Sequence, residues 1–406
     1  MDLEFTAAER EFRTEARDWL AGHVPAAPLP SLETAEGFAA HREWERRLSA
    51  DRWSVVSWPE EHGGRGASLL QWLIFEEEYY TAGAPGRVSQ NGIHLLAPTL
   101  FAQGTDEQRA RILGPMARGE VIWSQAWSEP EAGSDLASLR STAVRTAGGW
   151  RLSGQKTWSS RAAFADRAFG LFRSDPDTAR PHQGLTYLMF PLDAPGVTVR
   201  PLGRLDGKPA FAELFLDEVF VPDADVIGEP GQGWRVAMST AGNERGLTLR
   251  SPGRFSAAAE RLATLWREAP EAVSGPLTDR VADAVIGARA YQLFAYAHAS
   301  RLAAGEGHTP VRTEPGAGDL GAASSLTKVF WSELDIALHE TALDLLGPSG
   351  ALVEGAGEAP AQGRWTEGYT FALAGPIYAG TNEIQRDIIA ERLLGLPKGR
   401  RSCGSS

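Results

Sequence analysis

Apolar positions at the start of the chain recur at helical spacing. Phe12, Ala16 and Leu20 fall on one face, and Thr6-Ala7-Ala8-Glu9 before them has the hydroxyl-to-carboxylate spacing of a capping box. The same reasoning predicts helices over 36–50 and 68–81, and another opened by Thr105-Asp106-Glu107-Gln108 and stopped at Gly119. From residue 121 the texture changes. Segments 121–128, 141–145, 150–152, 168–173, 185–192, 197–202 and 212–221 are short and rich in β-branched and aromatic residues. Turn clusters such as Ala147-Gly148-Gly149 and Asp193-Ala194-Pro195-Gly196 separate them. Such spacing predicts a small antiparallel β-domain of sandwich or barrel type. There is no βαβ alternation, which argues against a Rossmann sheet.

Helical patterns return over 233–249, 254–268, 277–304, 321–346 and 382–394, with Gly/Pro-rich surface loops at 305–318 and 355–363. Long helices with short polar connections predict a bundle. The expected class is α+β: an N-terminal helical domain (1–120), a central antiparallel β-domain (121–228), a C-terminal helical bundle of four-helix type (229–398) and a flexible tail (399–406). No internal repeat is visible.

Composition narrows the chemistry. With 406 residues, 43% hydrophobic and 23% charged, the chain suffices for two or three packed units and is too apolar to be disordered. Nothing approaches the roughly 20 uninterrupted apolar residues of a membrane helix. Met1-Asp2-Leu3-Glu4 lacks the basic start of a secretory signal, so no membrane insertion and a cytoplasmic location are expected. Forty Lys and Arg against 52 Asp and Glu give a net charge of −12, a poor match to a nucleic-acid backbone. The single cysteine, Cys403, sits in the polar tail, which excludes disulfides, cysteine-based zinc sites and a buried thiol nucleophile. Thirteen tryptophans exceed the needs of a core and leave some to line a flat aromatic ligand.

Gly64-Arg65-Gly66 lacks the third glycine and the strand context of a dinucleotide fingerprint, and reads as a turn before the helix at Ser68. Four segments are more specific in combination: Trp58-Pro59-Glu60-Glu61-His62-Gly63-Gly64-Arg65-Gly66, Ser128-Glu129-Pro130-Glu131-Ala132-Gly133-Ser134-Asp135, Gly154-Gln155-Lys156-Thr157-Trp158-Ser159-Ser160 and Tyr378-Ala379-Gly380-Thr381-Asn382-Glu383-Ile384-Gln385-Arg386. In order and spacing they resemble the acyl-CoA dehydrogenase family of flavoproteins, over residues 5–398.

That resemblance implies bound FAD and α,β-dehydrogenation of an acyl thioester, with CoA or a carrier protein holding the acyl group. It implies electron-transferring flavoprotein as acceptor. Trp158 resembles the aromatic against the flavin ring, and Ser160, beside Ser159, the hydroxyl at flavin N5. Ser128, beside Trp127, resembles the hydroxyl at the pyrimidine edge, and Ser134 the residue at the thioester and CoA entrance. Gly380, Thr381 and Glu383 open a helix suited to an anion, the flavin or its pyrophosphate, with Asn382 and Gln385 as an N-cap pair.

The base is displaced. Many members carry the catalytic glutamate directly after the tyrosine of the last motif, where this chain has Ala379. Other members, of isovaleryl and long-chain type, place it before an arginine in the bundle; here Ala241-Gly242-Asn243-Glu244-Arg245-Gly246 occupies that place. The resemblance therefore assigns Glu244 as base, with Asn243 and Arg245 at the substrate. Gly246 fits either a widened acyl pocket or a close helix contact. The family's Arg-x-x-Phe-Gly segment is missing between Arg254 and Ala304, and Asp344 stands where glutamine is common, so a carboxylate would face phosphates. Either the FAD half-site is remodelled in a homo-oligomer or a second acyl-CoA dehydrogenase-like subunit completes it. A flavin monooxygenase or oxidase on the same fold, and a non-catalytic partner subunit, remain the alternative functions.

Overall fold

Helix α1 (Ala7–His23) begins where its cap predicts: the Thr6 hydroxyl accepts from Glu9 N and the Glu9 carboxylate from Thr6 N, and Phe12, Ala16 and Leu20 form its buried face. This computed structural model describes residues 4–245, 251–268, 275–303 and 319–398, leaving out the side chains of 242–245, 302–303 and 319–323. Helices α2 (Ala35–Ala50) and α3 (Leu69–Thr81) follow, the latter opened by a Ser68–Gln71 capping box. Gly64 before it makes a tight turn, since a Cβ there would lie 2.0 Å from the Trp58 carbonyl oxygen.

Next comes a stretch without a sequence prediction, a π-helical turn (Gly92–Leu96) that runs into α4 (Ala97–Gln103). Gly92, Pro98 and Gly104 punctuate it and mask its periodicity. Helix α5 (Asp106–Ala117) carries the expected Thr105–Gln108 box and ends before Gly119, at φ +64°.

Eight strands follow: β1 (Trp123–Ala126), β2 (Thr142–Thr146), β3 (Gly149–Ser160), β4 (Arg167–Arg173), β5 (Leu185–Pro191), β6 (Val197–Leu202), β7 (Phe211–Pro222) and β8 (Val226–Ile227). They form one sheet in the order β6-β7-β3-β2-β4-β5-β8, with β1 on β4. The expected antiparallel domain is thus corrected to a mixed sheet, because β1 and β2 both run parallel to β4. Long connections join these pairs, so no hairpin forces opposite directions. Strand β3 is also four times the length its apolar segment 150–152 suggests. Its polar middle stays in the sheet because Lys156 is buried against Glu129. Inward-facing Leu152, Phe172, Phe190 and Leu214 are among the core of this layer.

The chain divides into two compact units, Met1–Glu244 and Arg245–Ser406. Helix α6 (Gly233–Arg245) ends the first. The second contains α7 (Pro252–Glu268), α8 (Gly275–Ala303), α9 (Asp319–Leu346), α10 (Arg364–Ala372) and α11 (Asn382–Ile388). The expected helix end at 246–249, Gly246, the loop 305–318 and the tail with Cys403 lie outside the described residues. Helix α10 escaped prediction because its N-cap is Gly363, at φ +77°, with no side-chain cap to leave a signature. The expected helix 382–394 is interrupted: α11 gives way to a π-helical turn, Ile389–Leu393. Inside this unit buried Asp335 accepts from Arg254 Nη2 at 2.8 Å and lies 3.3 Å from His339 Nδ1. Among the described residues no helix is long and apolar enough to cross a membrane, and no group of His, Cys, Asp and Glu could hold a metal.

Candidate active site

Strand β1 delivers Trp127 and Ser128 to the end of the sheet. The Trp127 indole donates to Tyr187 Oη at 3.2 Å, and the Ser128 carbonyl accepts from Thr157 N at 2.8 Å. Glu129 and Ala132 then close a turn through reciprocal backbone bonds of 2.9 and 3.1 Å, leaving Ser134 exposed just beyond.

Strand β3 runs alongside. Its pairing with β7 advances from Lys156↔Leu214 to Ser159↔Ala212, three residues against two, which is a β-bulge. Trp158 occupies it at φ +57°, with 61% of its surface exposed, although Lys156, Thr157 and Ser159 around it are buried. Its ring meets Phe211 edge-on at 5.7 Å. Ser159 Oγ is buried without a hydrogen-bond partner, and the Ser160 carbonyl accepts from Ser124 Oγ at 2.8 Å. Trp127, Ser128, Trp158, Ser159 and Ser160 therefore belong to two adjacent segments of one sheet.

From Trp127 a chain of hydroxyls leads to α6. Trp127 can only donate, so Tyr187 Oη accepts from it, and the same phenol is hydrogen-bonded to Thr240 Oγ1, 3.4 Å away. Thr240 and Thr99 hydroxyls are 2.7 Å apart, and Thr99 donates to the Leu95 carbonyl in the π-helical turn at 2.7 Å. Tyr187, Thr240 and Thr99 are all fully buried. Asn243, Glu244 and Arg245 stand at the end of the same helix, Glu244 one turn past Thr240, and their side chains lie outside the described residues.

In the second unit Ala379 and Gly380 both adopt left-handed backbone, at φ +56° and +80°. Thr381 caps α11 by accepting from Ile384 N, and the exposed Glu383 sits in the first turn, its carboxyl held low by its own backbone N–H and the Thr381 hydroxyl. The expected N-cap pair of Asn382 and Gln385 is corrected: Asn382 accepts from Lys328 Nζ at 2.7 Å, and Gln385 donates to the Ala379 carbonyl at 3.0 Å. Asp344, the apparent misfit, accepts from Arg280 Nη1 at 2.5 Å. Its charge is already matched.

Sequence reasoning missed Arg261 on α7. It is half-buried, its Nε has no hydrogen-bond partner, and burial together with Arg364 and Arg254 pushes its guanidinium down to about 10. No Phe-Gly follows Arg261 in the sequence to mark it.

Comparison with known proteins decides the family. Residues 6–120, 124–219 and 231–394 match the family models for the N-terminal, middle and C-terminal domains of acyl-CoA dehydrogenases. The chain belongs to the acyl-CoA dehydrogenase family. It is 40% identical over 396 residues to acyl-CoA dehydrogenase IpdE1 of Mycobacterium tuberculosis, covering 96% of this chain and 98% of the relative. Acyl-CoA dehydrogenase FadE26 of the same organism is 31% identical, covering 99% and 100%. Among solved structures, the Tcur3481-Tcur3483 steroid ACAD superposes with a TM-score of 0.85 at 27% identity, covering 98% of this chain and all of that one. The ChsE4-ChsE5 complex of M. tuberculosis gives 0.83 at 30% identity with the same coverage.

Members of the acyl-CoA dehydrogenase family are FAD-dependent oxidoreductases of acyl-CoA thioesters, and this chain is one of them. Its residues fit the cofactor. An exposed indole on a strained bulge suits a flat ring, and the orphaned Ser159 hydroxyl beside it has a free hydrogen-bonding position. Within the second unit, Arg261, its Nε without a partner among the described residues, has the chemistry to meet a phosphate.

Proposed function

We propose that this chain dehydrogenates an acyl thioester between Cα and Cβ to the 2-enoyl thioester. Bound FAD supplies the hydride acceptor, at flavin N5. The Glu244 carboxylate takes the α-proton. Ser134, Asn243 and Arg245 orient the thioester; Trp127, Ser128, Trp158, Ser159 and Ser160 hold the flavin ring from the sheet. Gly380, Thr381 and Glu383 form a second cofactor-binding segment, where free N–H groups of α11 meet an anion. Arg261 joins the cofactor phosphates, in place of the absent Arg-x-x-Phe-Gly segment. Residues 1–120, 121–228 and 229–398 act as the three domains of this machine.

The observation that carries the reading is Trp158: a tryptophan turned to solvent at φ +57° between buried neighbours supports contact with a ligand over a role in the core. We take the acyl group to be bulky and polycyclic, in keeping with the steroid ACAD likeness. The electron acceptor is an electron-transferring flavoprotein. The partner is a second acyl-CoA dehydrogenase-like subunit, as in the ChsE4-ChsE5 complex. Exposed Ile286 and Phe294 on α8, with Leu326 and Phe330 on α9, supply apolar surface for it.

The test is an anaerobic comparison of thioesters. A CoA thioester of a steroid side-chain acid should bleach the flavin faster than a straight-chain acyl-CoA. Preference for the straight chain would overturn the substrate class, and a flavin that stays oxidised with every thioester would favour the monooxygenase reading.

A further inference from the structure

Between the two flavin-edge segments lies a buried ion pair to which the reaction gives no part. Lys156 is fully buried, and Glu129 is 8% exposed. Lys156 Nζ donates to Glu129 Oε1 at 2.8 Å, to the Leu171 carbonyl at 2.7 Å and to the Trp127 carbonyl at 3.4 Å, and it lies 4.7 Å from the centre of the Phe172 ring. Glu129 in turn accepts from Ser141 N at 2.9 Å and from Arg140 N at 2.6 Å. Strand β3 itself is shaped to let the Ser141 segment that Glu129 holds come close. Gly154 stands at φ +144°, where a Cβ would lie 2.3 Å from Ser141 Oγ.

Such a pair is a poor way to gain stability. Desolvating both charges costs several kcal/mol per ion, and well-packed apolar residues of similar volume commonly do as well or better. Its location is informative. Lys156 is the last regularly paired residue before the bulge that turns Trp158 outward, and Glu129 directly follows Ser128. The same ammonium also grips the carbonyl of Trp127. A left-handed backbone at a non-glycine residue persists only where its surroundings over-determine it. Here the surroundings on one side are this pair and the Thr157 N–H to Ser128 carbonyl bond.

We infer that Glu129 and Lys156 are positioning residues for the cofactor: together they lock the Ser128 end of β1 and the Trp158 bulge of β3 into one rigid cradle. This rests on the proposal that Ser128 and Trp158 meet the flavin. The pair touches neither substrate nor cofactor; it acts through the segments it joins.

The experiment titrates the purified apoprotein with FAD and records the visible flavin spectrum for wild type, Trp158→Ala and the charge-neutral double variant Glu129→Gln/Lys156→Met. The double variant removes both charges together, keeps one side-chain carbonyl to accept from the backbone N–H groups of Arg140 and Ser141, and leaves an apolar side chain in the core, so its thermal midpoint should fall by no more than several degrees. Its FAD dissociation constant should rise about tenfold or more, with an altered flavin band. A pair that served the core alone would move the midpoint and leave affinity and spectrum unchanged; that result overturns the inference. If the double variant does not fold, Glu129→Asp reads the same question, keeping the charge but shortening its reach. Wild-type affinity and spectrum in Glu129→Asp would then overturn the inference. Trp158→Ala separates the two levels. If it leaves the spectrum untouched, the flavin-contact assignment fails and takes the pair's role with it. If it shifts the spectrum and the pair variants do not, only the pair's role fails.

Discussion

The Gln385 side-chain amide donates to the carbonyls of Ala379 at 3.0 Å and Gly380 at 3.3 Å, so a fully buried amide on α11 holds the two left-handed residues that precede it. Ala379 stands where the family resemblance would put a catalytic glutamate, and in this chain it is part of a fixed turn. A non-glycine residue in that conformation costs about 1–2 kcal/mol. Ala379→Gly should therefore leave stability unchanged or raise it by up to about 1 kcal/mol, while Gln385→Ala should lower it by about 1–3 kcal/mol. Chemical denaturation checks both, and a marked loss in Ala379→Gly would contradict the account of the turn.

The hydroxyl chain from Trp127 to Thr240 gives a second test. Thr240→Val has nearly the same shape but breaks the link between Tyr187, beside Trp127, and the helix that carries Glu244. Turnover should fall by about tenfold or more with KM little changed, because misplacement by a fraction of an ångström acts on the reacting geometry. Thr240→Ser should recover most of the loss. Equal kinetics in Thr240→Val and wild type would remove the chain from the mechanism.

Arg261 should show opposite signs in stability and binding. Its charge is half-buried, with its Nε unpartnered, near two other arginines. Arg261→Met relieves that repulsion, so the apoprotein should be more stable by about 1 kcal/mol. FAD affinity should nevertheless fall, by about tenfold, through loss of a charge-assisted phosphate contact. Isothermal titration and thermal melts of the same preparations read both effects.

Acid stability follows from Asp335. Burial alone would raise its carboxyl, but Arg254 and His339 outweigh it and bring it down to about 2. The folded value lies below the unfolded one, so the pair's contribution is complete above about pH 4 and is lost as pH falls towards 2, about 2–3 kcal/mol in all. Unfolding free energy measured across that window should fall in wild type. The slope should flatten in Asp335→Asn, which starts from a lower stability at neutral pH because the buried ion pair with Arg254 is lost.

The sequence made the helices with side-chain caps legible, since Thr6 and Thr105 each announce themselves by a partner three residues on. Helix α10, begun by Gly363, and the π-helical turn at Gly92 carry no such local signal and depend on packing. Strand β3 was under-read because Lys156 looks like a surface residue until its partner, 27 residues earlier, is known. The segments around Ser128 and Trp158, proposed to meet the flavin, are visible as sequence patterns, but nothing in them announces the bulge at Trp158. Arg261 is hidden for another reason: what distinguishes it is the lack of a counter-charge among the described residues, a property of three dimensions.

The central claim concerns the base. The most direct measurement is the anaerobic decay of the visible flavin band after mixing with a CoA thioester that reduces the wild-type holoprotein, repeated on Glu244→Gln. The account predicts that the variant retains FAD and binds the thioester, yet its flavin stays oxidised, slower by at least about 10³-fold. Reduction of Glu244→Gln at the wild-type rate would contradict the account.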